Sequence, residues 1–106
     1  MQKPNGVKIT VMKTMKHEDV FGGRLSQVAD SMASVCERHK EGQIFMIDGN
    51  GQKPADFCTR AWHDITPDIA VLRFGGNFPW MKEKGINIVC CSDGARPVIF
   101  KLERID

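Results

Sequence analysis

The stretch "INIVCCSDGARPVIFKLERI" (86–105) decides the fold. Two runs rich in β-branched residues flank Ser-Asp-Gly-Ala, and Asp93-Gly94 is a preferred pair for a two-residue type I′ turn, whose twist matches that of the strands it joins. Such a turn sets a register in which Cys91 faces Arg96, Cys90 faces Pro97 and Val89 faces Val98. Strand side chains alternate between faces, so Val89, Cys91, Val98, Phe100 and Leu102 fall on one side and Ile86, Ile88, Cys90 and Ile99 on the other. Both sides are apolar, which predicts a sheet covered twice: by helices, by barrel closure or by a second copy of the chain.

Upstream, Cys58, Ala61, Trp62, Ile65, Ile69 and Leu72 recur three or four positions apart and share a helical face. Pro67 sits inside that stripe, and Thr66-Pro67-Asp68 has the chemistry of a helix start. The expectation is a kink at 63–66 or two short helices in sequence. Gly75, with Pro79 beyond it, is the corresponding stop signal. "EGQIFMIDGNG" (41–51) holds a strand at 44–47 ended by Asp-Gly-Asn-Gly, and "VKITVM" (7–12) alternates as a half-buried strand does. Leu25, Val28, Ala29 and Met32 are spaced for one further short helix.

These elements make one α+β domain over 1–106. Three or four strands form a mixed or antiparallel sheet, with a half-barrel as the variant the pattern allows, and the C-terminal hairpin is packed by one kinked helix. The apolar fraction of 42%, the charged fraction of 26% and the net charge of +2, spread along the chain, suit an ordinary globular protein and argue against a nucleic-acid surface. No segment approaches the ~18 consecutive apolar residues of a membrane span, and the opening residues lack an apolar run, so a cytoplasmic protein with reduced thiols is expected.

"LRFGGNFPWM" (72–81) concentrates a cation, two glycines, an amide and two aromatics. Packing accounts for much of it, with Phe78 and Trp80 plugging the core beneath a loop. The functional alternative has Arg73, Asn77 and Trp80 lining a pocket for a planar or anionic small molecule, together with Trp62, Arg96 and a cysteine. Phe78, Trp80 or the hairpin would also serve a homo-oligomer interface.

With "RFGGNFPWM" (73–81) and "CCSDGARPVIFKLERI" (90–105) both in view, the chain resembles an uncharacterised family of short bacterial and archaeal proteins. "EGQIF" (41–45) after Cys36, and "FCTRAW" (57–62), match that family's pattern too. Ser34-Val35 stand where the family often has Gly-Pro, His63 replaces a small residue, and Pro67 enters a helix that is usually continuous. The resemblance implies kinship and brings no activity or cofactor with it.

The four cysteines, Cys36, Cys58, Cys90 and Cys91, lack the C-x₂₋₄-C pairs of a structural zinc site, and the vicinal pair should point opposite ways. Cys36 and Cys58 with one of the pair could still make a three-thiolate site. A reactive thiol is the alternative: Cys91 opposite Arg96 and near Asp93, or Cys58 near a helix start, where positive charge favours thiolate. Against this stands cysteine as a small core residue. His17 and His39, each among charged neighbours, are expected at the solvated surface. No glycine-rich phosphate loop, G-x-S-x-G elbow or paired-carboxylate signature occurs. Three functions follow: a small-molecule or cofactor-binding protein with its pocket near 72–81, a cysteine-dependent redox or metal-binding protein, and an accessory subunit without chemistry.

Overall fold

The computed structural model describes residues 3–105. Four strands, β1 (Gly6–Thr14), β2 (Ile44–Ile47), β3 (Ile86–Cys90) and β4 (Val98–Ile105), form an open antiparallel sheet in the order β2-β1-β4-β3. Two helices complete the fold, α1 (His17–Phe21) and α2 (Thr59–Arg73). Among the described residues no helix is long and apolar enough to cross a membrane.

Period-two alternation places Val7, Ile9 and Val11 of β1, Phe45 and Ile47 of β2, and Val98, Phe100 and Leu102 of β4 on one face, all buried. The stripe Ala61, Ile65, Ile69 and Leu72 lays α2 across that face, and Phe57 and Phe78 close the core at its edges. Helix α2 runs unbroken through Pro67. Pro67 has no N–H to offer the His63 carbonyl, a penalty of about 3 kcal/mol. Burying Ile65, Ile69 and Leu72 at roughly 1.5–3 kcal/mol each outweighs it, so neither a second helix nor a break is needed. Gly75 takes φ 86° just past the helix end, and its N–H donates to the Leu72 carbonyl, as the stop signal requires.

Two expectations are corrected. The hairpin register is displaced by two residues: Val89 faces Phe100 and Cys90 faces Ile99. Gly94 is not among the positive-φ glycines, so Asp93-Gly94 does not form a type I′ turn. Instead Asp93 Oδ1 accepts the N–H groups of Ala95 and Arg96 and holds a wider loop. An even displacement preserves side-chain parity, so the predicted faces stand. Residues 25–32 form turns rather than a helix, because Leu25 lies 38% exposed with no core beneath it, while Arg24 donates to the Ala29 and Met32 carbonyls. Within the single chain, the described residues cover the sheet on one face.

The open face has a definite pattern. Cross-strand rows read Met46, Lys8, Glu103, Ile86 and then Ile44, Thr10, Lys101, Ile88. Both edge strands are thus apolar there, with Met46 at 57% and Ile44 at 52% exposure, while the centre carries a Lys101–Glu103 ion pair at 3.6 Å.

Candidate functional site

Three loops meet where α2 begins. Cys58 is the N-cap residue of α2, with extended backbone and no side-chain capping bond. Cys91 follows β3; its N–H donates to the Val98 carbonyl at 3.1 Å and its Sγ accepts the Val98 N–H at 3.3 Å. Cys36 lies on the long connection that precedes β2. All three line one cleft of about 220 Å³, with His39, Arg60, Asp93, Arg96 and Phe100 among its walls. Each of the three thiols is half-buried, whereas Cys90 is exposed on the open sheet face. Strand alternation sends the vicinal pair apart, so the four cysteines do not converge. Among the described residues no three His, Cys, Asp or Glu side chains are arranged to hold a metal ion.

Two histidines brace this cleft, and both are buried rather than solvated as their neighbours in sequence suggested. His39 sits among Phe45, Phe57 and Phe100, with ring centroids 5.3, 4.9 and 5.8 Å away. The Cys58 N–H donates to its Nε2 at 3.2 Å, so the ring proton is on Nδ1, facing Gln43 Oε1 at 3.3 Å. Burial lowers the pKa of His39 from its ordinary value; the Gln43 hydrogen bond opposes this and the charge of Arg38 adds to it. His17 does the same work on the other side: its Nε2 accepts the Leu25 N–H at 3.1 Å, and its Nδ1 lies 3.1 Å from the Ala95 carbonyl in the hairpin loop. Each histidine ties an irregular segment to a regular one, which fixes the cleft walls.

Arg96 stands out among the cleft's polar groups. Its Nη2 lies 3.4 Å from Asp93 Oδ2, and its Nε is buried without a hydrogen-bond partner. Arg60, by contrast, donates through Nε to Ser92 Oγ at 3.0 Å, and Asp64 Oδ2 accepts the Ser92 N–H at 2.7 Å, which pins the loop after Cys91 to α2.

The loop 72–81 has another role. Arg73, at the far end of α2, donates through Nη2 to the Gly49 carbonyl at 2.6 Å, and its N–H-bearing head fills the space beside Gly51 that a Cβ would need. Asn77 Oδ1 accepts the Gly85 N–H at 2.7 Å and Arg104 Nη2 at 3.0 Å, and Arg104 Nη1 donates to the Gly76 carbonyl at 2.6 Å. Phe78 joins the core, but Trp80 is 69% exposed, its Nε1 donating to Asn87 Oδ1 at 3.1 Å. Trp62 packs against Phe57 near the start of α2. Arg73 therefore lies about 20 Å, the length of α2 at 1.5 Å per residue, from the Cys91 end. Trp62, Arg73, Asn77 and Trp80 do not share a pocket; of the expected ligand residues Arg96 lines the cysteine cleft, and Trp62 sits one helical turn beyond Cys58, donating its backbone N–H to the Cys58 carbonyl.

Asn87 went unnoticed in the sequence. It is buried on the covered face, donates through Nδ2 to Asp68 Oδ2 at 3.0 Å and joins α2, β3 and the Trp80 loop. The signal was its parity with Val89, since a polar side chain on a covered face must find partners. Another concavity, a trough of about 650 Å³ beside Lys3, Met46 and Asp48, lies by Gly6 and Ile105, away from the cysteines. No family model, curated protein or solved structure matches the chain.

Proposed function

We propose that the protein binds a small molecule through the thiols of Cys36, Cys58 and Cys91, at the start of α2 rather than at the 72–81 loop. One observation carries this: three cysteines distant in sequence line one cleft, while the fourth is turned away. Cysteine chemistry requires a thiol that is reachable and held beside polar groups, and the half-buried cleft with Arg96 and Asp93 meets both conditions. An accessory role without chemistry would leave the thiols sealed in the core. The two long motifs then serve different ends, residues 73–81 clasping the end of α2 and 90–105 building the cleft.

Alkylation of the folded protein with neutral iodoacetamide, mapped by peptide mass spectrometry, tests this. Labelling of the cleft thiols without unfolding is expected. If Cys36, Cys58 and Cys91 all stay unmodified until urea unfolds the chain, while Cys90 reacts, the cleft is packed core and the proposal fails.

The open sheet face favours a second reading, a weak homodimer with this face against its copy. Either two-fold axis in the sheet plane sets apolar edge columns on apolar edge columns and brings the Lys8, Lys101 and Glu103 centre against itself, where lysine can meet glutamate across the interface. Four strands about 4.8 Å apart give a face roughly 20 Å on a side, about 400 Å² per copy against the ~800 Å² per partner of a standard interface, so the dimer is a weak one. Analytical ultracentrifugation should show a concentration-dependent dimer that Met46→Asp with Ile88→Asp abolishes. A wild-type monomer at every concentration contradicts it.

A further inference from the structure

The volume and charge of the cysteine cleft narrow its ligand class, an inference that rests on the cleft being a binding site. At about 220 Å³ it holds some seven or eight non-hydrogen atoms, counting about 30 Å³ for each water-sized unit, so the group seated beside the thiols is small. Its charged walls are two guanidinium groups, Arg60 and Arg96, and one carboxylate, Asp93. Asp93 is already engaged, holding the Ala95 and Arg96 N–H groups with Oδ1. Arg60 gives its Nε to Ser92 Oγ and stands exposed at the cleft rim. Arg96 makes a single contact through its terminal nitrogens, 3.4 Å with Asp93, and its side chain is 29% exposed, while its Nε is sealed from solvent. A guanidinium offers five donors in a planar fork that matches a carboxylate. Arg104 shows the contrast, with both terminal nitrogens satisfied by Gly76 and Asn77.

We infer that the cleft takes a small carboxylate bearing an electrophilic carbon, its carboxylate held by Arg96 and its carbon presented to Cys91. In the chemical step the Cys91 sulfur forms a bond to that carbon. The bonding pair of a leaving group departs with it, and the thiol proton passes to solvent.

Iodoacetate and iodoacetamide probe this directly, since they differ in the carboxylate and share the step: a sulfur–carbon bond forms, iodide leaves with its electron pair and buffer takes the proton. Exposed Cys90, on the other face, is the internal reference. The rate ratio of iodoacetate to iodoacetamide at Cys91 should exceed that at Cys90 roughly fivefold, equivalent to about 1 kcal/mol at 25 °C. Arg96→Gln should bring the Cys91 ratio down to the Cys90 ratio while leaving Cys90 unchanged. Unreactive acetate should slow iodoacetamide at Cys91 in the wild type, a readout that needs no variant, and phosphate should do so less. Equal ratios at the two cysteines, or no protection by acetate, overturn the carboxylate assignment and leave thiol binding intact. Stronger protection by phosphate reassigns the anion and likewise overturns it. Cys91 unreactive toward both reagents overturns its assignment as the reacting thiol, and the binding site itself falls only if Cys36 and Cys58 are unreactive as well.

Discussion

Replacing His39 tests how the core holds the cleft. The ring is buried, and its Nε2 accepts the Cys58 N–H at the first residue of the cleft wall. His39→Phe keeps an aromatic ring but strands that N–H, at about 1–3 kcal/mol. His39→Gln keeps an acceptor and loses the contacts to three phenylalanines. Both remove the titrating group. Because burial lowers the pKa of His39 in the folded protein, the unfolded chain binds more protons near neutrality, and stability rises with pH. Its contribution is intact above the ordinary value of 6.5 and is lost progressively as the pH falls from there toward the lowered folded value. Between pH 7.5 and 5.5 the loss has an upper limit of about 1.4 kcal/mol, reached if the folded ring takes up no proton. Urea unfolding at both pH values measures it. The wild type should lose up to that amount relative to either variant, the other histidines cancelling in the difference. A gap independent of pH, or one that widens toward acid in favour of the wild type, would refute a buried neutral His39.

Other substitutions probe the remaining framework by thermal unfolding. Arg104→Ala removes the donors to Gly76 and Asn77 and should destabilise by roughly 1.5–3 kcal/mol, or about 4 °C for each kcal/mol; an unchanged midpoint would mean the clasp is ornamental. Gly51→Ala combines φ 71° with a Cβ directed into the Arg73 guanidinium, so a loss of at least about 1 kcal/mol is expected, and a neutral result would mean that Arg73 is free to move. Pro67→Ala restores an N–H in the middle of α2 and should raise the midpoint, by an amount corresponding to at most ~3 kcal/mol; a lower midpoint would contradict a proline that costs α2 a hydrogen bond.

Much of the fold was legible because alternation and helical spacing are local. Val7, Ile9 and Val11, or Ala61, Ile65 and Ile69, state their burial without knowledge of partners. The hairpin faces were right and its register wrong for one reason: parity is local, whereas the turn depended on Asp93 choosing to cap Ala95 and Arg96 rather than enter a type I′ turn. The histidines were misplaced because their sequence neighbours are charged, and only tertiary structure brings phenylalanines around His39 or the Ala95 carbonyl to His17. Arg73 looked like a ligand group because carbonyls such as that of Gly49 leave no mark in a sequence. Cys36, Cys58 and Cys91 were candidates from the start, with Cys91 preferred to Cys90 for a pairing with Arg96 that the observed register does not keep; that the three share one cleft depends on the path of a connection that has no periodicity.

The central claim is that Cys36, Cys58 and Cys91 share one cleft. Treating a Cys90→Ser variant with a short bifunctional thiol reagent, then mapping the linked peptides, tests it most directly. The account predicts that the folded protein forms the 36–58, 58–91 and 36–91 links, whereas the urea-unfolded chain favours pairs that close the shorter loops. A folded protein that forms no link to Cys91, or the same distribution as the unfolded chain, would contradict it.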